Sequence, residues 1–302
     1  MRVVPFLIYL GGVGLVAASS AFPLWVALTA AGLGDVPFNK LTFRLLEICA
    51  LIGLWPLMHF LDLRSAADWG FGPGASGADP KRRGRLKGLL TGFLAGAVML
   101  VIIVLLLLGA DVRMLRPDLA WRPGLVTLAL SSALIAALVV AVVEETWFRG
   151  ALQRALEVRF SLATGVAVTA VLYGLVHFIR PDVQVPPELV GWGSGYTVIS
   201  GAFGRFTDPG IVDSLATLIV VGILLSLVRH RSGRIWECIG LHAGFVFVIR
   251  ITRKLTVINP ETAHGYLVGS FDGILGVLAC AVFLLLTLAY WRWGAAGAAS
   301  RR

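Results

Sequence analysis

Glu144 and Glu145 stand side by side, with Arg149 four residues further on, in the run Val142-Val143-Glu144-Glu145-Thr146-Trp147-Phe148-Arg149-Gly150. About twenty uncharged residues precede them. An ionisable group inside a bilayer-spanning helix costs about 3 kcal/mol or more unless it is paired or lines a polar cavity, so its first reading is functional. His177 and His242 lie in two other apolar segments, and Asp272 lies near a third. A carboxylate in such surroundings can act as general base toward water, and imidazoles can stabilise the oxyanion formed when water attacks an amide carbonyl. Glu144, His177 and His242 also form an established catalytic zinc set of two histidines and a glutamate. Spacing alone leaves both chemistries open.

These residues must be positioned by membrane helices. Of the 302 residues, 58% are hydrophobic and 14% charged, which is too little polar surface to clothe a soluble globule of this length. Apolar stretches near the roughly 20 residues that a spanning helix needs recur along the whole chain. The expected fold is an all-α polytopic bundle of about eight transmembrane helices, a single integral membrane domain over 1–302. Its spans run from Val4 to Leu33, Leu41 to Leu61, Leu86 to Leu108, Leu125 to Leu156, Leu162 to Ile179, Ile211 to Val228, Ile235 to Ile249 and Phe271 to Trp291. Pro23 interrupts the first. Arg2 before an apolar run also admits a cleaved signal peptide, but the run continues apolar past Ala21, which favours a retained helix.

The net charge of +9 reflects orientation rather than nucleic-acid binding, because the basic residues sit mainly between spans. With both termini cytoplasmic, 16 of the 26 Lys and Arg fall on the cytoplasmic side, as the positive-inside rule prefers. The basic run Lys81 to Lys87 also suits anionic headgroups. Cys49, Cys238 and Cys280 all lie in expected spans, so no disulfide framework is implied. The Gly- and Pro-rich stretch Asp68 to Gly84 reads as a flexible connection. The connection Arg180 to Gly210, with Pro181, Pro186 and Pro187, reads as irregular, either a lid over a cavity or an inert surface loop.

Helix rise places the polar residues in depth. The fourth span keeps helical spacing to a turn near Arg159 to Ser161, with Glu144 about 15 residues before that turn and His177 about 16 after it. His242 lies about 11 residues beyond the basic connection at Arg231, roughly 17 Å up its own helix. Convergence of the three is therefore allowed. Glu145 and Arg149, four apart, share a helix face and suit an ion pair, while Glu144 points about 100° away. A purely structural network of both glutamates with Arg149 and Arg154 is the competing reading. Gly240 and Gly244 flank His242 with a small-residue face that permits close helix approach.

The pattern resembles the CAAX prenyl endopeptidases and their bacterial relatives, the CPBP or Abi family of intramembrane proteases. That family's E-E-x-x-x-R motif is matched by Glu144, Glu145 and Arg149, and its F-x-x-x-H motif by Tyr173 and His177, with Tyr in place of Phe. A third motif places a polar residue four positions after a histidine; His242 matches, and Val246 departs from it. The resemblance covers about Leu125 to Val248 and implies a catalytic region there, taken as 125–248. It implies that Glu144 activates water with His177, that His242 helps bind the oxyanion, and that Glu145, Arg149 and Tyr173 support the site. It further implies a membrane-associated peptide or protein substrate, either lipidated or carrying a C-terminal sorting tail, and a bacterial inner membrane location. A glutamic-type site needs no cofactor, and a metallo-type site would hold zinc at Glu144, His177 and His242.

Three other readings compete. Val246 suits a noncatalytic homologue that binds peptides or assembles complexes. Glu144 and His177 could relay protons in a transporter, although no internal repeat is visible. Cys238 and His242, four apart, could form a thiol nucleophile and its base.

Overall fold

The computed structural model describes residues 4–33, 36–72, 82–117, 123–180 and 182–299. Arg2, Lys81, Pro181, Arg301, Arg302 and most of the expected flexible connection, 73–80, lie outside the described residues. In chain order the elements are α1 (Val4–Ala30), α2 (Phe38–Phe60), α3 (Arg82–Gly109), β1 (Arg113–Leu115) and α4 (Pro123–Glu145). A π-helical segment (Thr146–Leu152) carries α4 into α5 (Gln153–Arg159). Then come α6 (Leu162–Val176), α7 (Ser194–Gly201), α8 (Val212–Ser232), α9 (Trp236–Leu255), β2 (Thr256–Ile258) and α10 (Val277–Ala299).

This is a helical membrane bundle. Among the described residues five helical stretches are long and apolar enough to cross a bilayer: Val4–Ala30, Phe38–Phe60, Gly84–Gly109, Gly124–Arg159 and Pro209–Ser232. Leu162–Val176 and Val277–Trp293 are shorter apolar helices, and α9 carries charges at both ends. Helix α1 runs through Pro23, a residue that membrane helices tolerate because neighbouring groups re-satisfy the freed carbonyl.

The chain divides into two compact units. The first comprises Met1–Arg64 and Leu175–Pro209. Within it α1 packs on α2, where the Tyr9 hydroxyl donates to the Ala50 carbonyl at 2.7 Å and Gly53 makes room for the Tyr9 ring. The connection expected to be irregular contains α7, which starts past Pro187 and packs on α1. Gly195 lies so close to the Ala18 carbonyl that a Cβ would collide with it, and the Ser19 and Tyr196 hydroxyls bond at 2.6 Å.

The second unit comprises Ser65–Gly174 and Gly210–Arg302. Its tightest seam joins α3 and α9. Gly88, Gly92 and Gly96 repeat every four residues along α3, and Gly240 and Gly244 answer them on α9. A Cβ on Gly92 or Gly96 would meet the carbonyls of Glu237 and Leu241, and one on Gly240 or Gly244 those of Leu89 and Phe93. Small residues allow this backbone approach, as the spacing around His242 predicted. On its other side α9 packs Ile239 and Ala243 against Ala137 and Ala141 of α4. Gly174 of α6 seats Ile219 of α8, and Gly222 of α8 seats Ala170 of α6.

At one end of this unit β1 and β2 pair antiparallel, Met114 opposite Val257. The last helix begins at Val277 rather than Phe271. Residues 268–276 instead fold over the start of α8, where Ser214 and Thr217 donate to the carbonyls of Leu275 and Gly276 at 2.7 and 3.0 Å. Asp272 turns that corner by accepting the amide hydrogens of Ile274 and Leu275 at 2.9 and 2.8 Å, so its chemistry is that of a turn cap.

Candidate active site

The fourth helix reaches Glu145 as a regular α-helix built from Ala, Val and Leu and then widens into the π-helical turn. Such turns are rare and concentrate at functional sites. Glu145 and Arg149 are fully buried and joined, Nη1 to Oε1, at 3.0 Å. That is the ion pair the four-residue spacing called for. A second guanidinium nitrogen, Nη2, donates to the Gly222 carbonyl of α8 at 3.1 Å. The Arg149 guanidinium carbon lies 4.4 Å from the centroid of Tyr173, a cation–π contact that lowers the cost of the buried charge.

Glu145 has a second partner. His242, 3% exposed, donates Nδ1–H to the same Oε1 at 2.8 Å. One carboxylate oxygen thus holds both Arg149 and His242 and fixes the imidazole's orientation. The opposite ring nitrogen, Nε2, then faces Glu144, whose Oε2 is 3.9 Å away. The Glu144 side chain is 28% exposed, against 0% for Glu145. The two adjacent glutamates therefore stand at the two ring nitrogens of one imidazole, Glu145 bonded to Nδ1 and Glu144 beyond hydrogen-bond length of Nε2. Tyr173 completes the enclosure edge-on to His242, with ring centroids 6.0 Å apart, and edge-on to Phe148 at 5.2 Å.

A polar ladder continues below the pair. Gln153, four residues after Arg149 and fully buried, donates to the Ser226 carbonyl at 3.1 Å and to Glu157 at 2.8 Å. Arg229 of α8 donates back to the Arg149 carbonyl at 3.3 Å. Sequence reasoning missed Gln153 and Arg229. The available signal was the stripe Glu145, Arg149, Gln153, Glu157 at intervals of four.

Of the expected site residues, Glu144, Glu145, Arg149, Tyr173 and His242 meet in the second unit. His177 stands one residue past α6, half-buried, and belongs to the first unit; its carbonyl accepts from Arg180 Nε at 3.4 Å. Arg154 forms no ion pair with either glutamate among the described residues, so the wholly structural network loses one member. Val246 packs in the apolar cluster with Ala137 and Ala141. The Cys238 thiol donates to the Leu225 carbonyl at 3.4 Å, while His242 Nδ1 is engaged by Glu145, so the thiol–imidazole reading has no contact behind it. Among the described residues no three His, Cys, Asp or Glu side chains are grouped to hold a metal ion, and Glu145 is already committed to Arg149.

Residues 126–248 match the family model described as Rce1-like, type II CAAX prenyl endopeptidase. This segment is similar to the CAAX protease family. It carries every site residue named above, from Glu144 to His242. No curated protein and no solved structure matches the chain. The matched segment is similar to the type II CAAX prenyl endopeptidases, and the long apolar helices around it support an integral membrane protein.

Proposed function

We propose that this chain hydrolyses a peptide bond of a membrane-associated substrate, with Glu144 as general base. The observation that carries the reading is the 3.9 Å between Glu144 Oε2 and His242 Nε2, with the imidazole clamped from behind by Glu145. A water about 2.8 Å from both atoms would subtend an angle of about 90°, which lets one molecule touch the two. Glu144 takes a proton from that water as its oxygen attacks the scissile carbonyl, then returns the proton to the departing amine as the C–N bond breaks. His177 assists the water by family resemblance.

His242 serves the oxyanion. With Nδ1–H given to Glu145, Nε2 can donate only when the ring carries both protons. In that state Glu144, Glu145, Arg149 and His242 sum to zero formal charge, which suits a site inside a membrane. Glu145 is thus a positioning residue and counter-charge in one. The mechanism is glutamic in type. A lipidated tail or a C-terminal sorting tail is the substrate class it suits, in a bacterial inner membrane with both termini cytoplasmic, as the charge bias favours.

Purified full-length protein in bilayer discs, given membrane-tethered peptides, tests this. Glu144→Gln should cut cleavage by roughly 10²- to 10⁴-fold, the range for loss of a general base. Cleavage that survives a strong chelator supports the glutamate-activated water, and loss would assign a metal-bound one. The apolar packing of Val246 favours a second reading, a noncatalytic peptide-binding homologue; folded wild type that cleaves nothing would select it.

A further inference from the structure

The end of α9 remote from Trp236 gathers cations that the proposed hydrolysis does not use. Arg250, Arg253 and Lys254 are all exposed, and spacings of three and four put them on one helix face. None of the three forms an ion pair among the described residues. Arg116, just past β1, joins them by donating Nε to the Lys254 carbonyl and Nη2 to the Arg253 carbonyl, both at 3.3 Å. Beneath lies buried Arg113, bonded to Thr256 and to the Gly273 carbonyl. Among the described residues, Asp272, whose Oδ1 accepts the Ile274 and Leu275 amides, and Asp111, which accepts from Asn259, stand near five cations. Burial holds Arg113 below the usual guanidinium range, Asp272 pulls it back up, and the like charges of Arg253 and Arg116 press it down again. So dense a group of like charges calls for an external anion.

Depth says which anion. Lys254 Nζ donates to Ser132 Oγ of α4 at 3.4 Å. From Ser132 to Arg159 the helix is continuous, about 40 Å of rise, close to the 40–45 Å of a bilayer with its headgroups. With Arg159 at one headgroup layer, Ser132 and Lys254 lie at the other. Inward from Ser132 the same helix face continues through Ile135, Val139 and Val142, which are 64%, 58% and 43% exposed. Cations at headgroup level therefore adjoin an open apolar track along the same helix face.

We propose that Arg250, Arg253, Lys254 and Arg116 bind the phosphate of an anionic phospholipid whose acyl chains lie along Ile135 and Val139. The free phosphate ion shares the headgroup chemistry but would leave the apolar track unused. Full-length protein is taken from bilayers of equal phosphatidylglycerol and phosphatidylcholine into mild detergent, and the retained lipids are counted. Wild type should retain phosphatidylglycerol in excess, and millimolar inorganic phosphate should leave that excess in place. Each basic residue at an anionic surface is worth about fivefold. The triple variant Arg250→Gln, Arg253→Gln, Lys254→Gln should therefore bind on the order of a hundredfold more weakly and lose the excess. Arg250→Lys with Arg253→Lys should keep it, as should Arg205→Gln, whose guanidinium is paired with Asp182. Equal retention of both lipids by wild type, an undiminished excess in the triple variant, or displacement by phosphate would each overturn the proposal. None of these readouts depends on proteolysis.

Discussion

Glu145 is the residue on which the site turns, although Glu144 is the proposed base. Its Oε1 carries both the guanidinium of Arg149 and the imidazole of His242. Glu145→Gln should lower kcat by at least tenfold with little change in KM, because the amide orients His242 poorly and removes its counter-charge. The same change strands Arg149 inside the protein, at a cost of roughly 3–5 kcal/mol, so a fall in thermal midpoint should accompany the kinetic loss. Arg149→Lys should not rescue the pair. A single ammonium cannot reach Glu145, the Gly222 carbonyl and the face of Tyr173 together. Tyr173→Phe retains the ring under the guanidinium and should preserve most stability, whereas Tyr173→Leu removes the cation–π contact and should cost about 1–2 kcal/mol in a melting experiment. Legibility at this scale was uneven. The Glu145–Arg149 pair follows from spacing on one helix, but the bond from His242 spans 97 positions and no local pattern encodes it.

At the scale of elements, the glycine seam between α3 and α9 sets where His242 lies. Its two stripes were half legible: Gly240 and Gly244 announced a close approach, and Gly88, Gly92 and Gly96 show what approaches. Gly92→Val or Gly240→Val should push the helices apart and abolish a folded peak in size-exclusion chromatography, since the blocking atoms are backbone carbonyls that cannot step aside. Gly11→Ala or Gly14→Ala in α1, where a Cβ meets nothing within 4 Å, should leave the peak unchanged. The start of α10 was misplaced because Phe271 to Gly276 is apolar enough to read as helix. Asp272 and the contacts with Ser214 and Thr217 turn it into a corner.

At the scale of the molecule, the stretch Gly124–Arg159 has 36 residues, about 54 Å of helix against a hydrocarbon core of about 30 Å. It must tilt or extend past the bilayer, and the proposed phosphate site lies where that surplus length begins. The proposed orientation has the turns near Ser161 and Ser232 on the cytoplasmic face. Single cysteines there should resist an impermeant thiol reagent in intact cells, while one at Glu261 should react. Composition alone determined that the chain lives in a membrane as a helical bundle, and periodicity alone determined which residues share a helix face, because both depend only on neighbours in the chain. Tertiary structure decided that Glu145 rather than Glu144 holds His242, that Gln153 and Arg229 join the ladder, and that Lys254 reaches Ser132. Those pairings depend on the rotation and depth of separate helices, which are set where packed backbones meet rather than within any one segment.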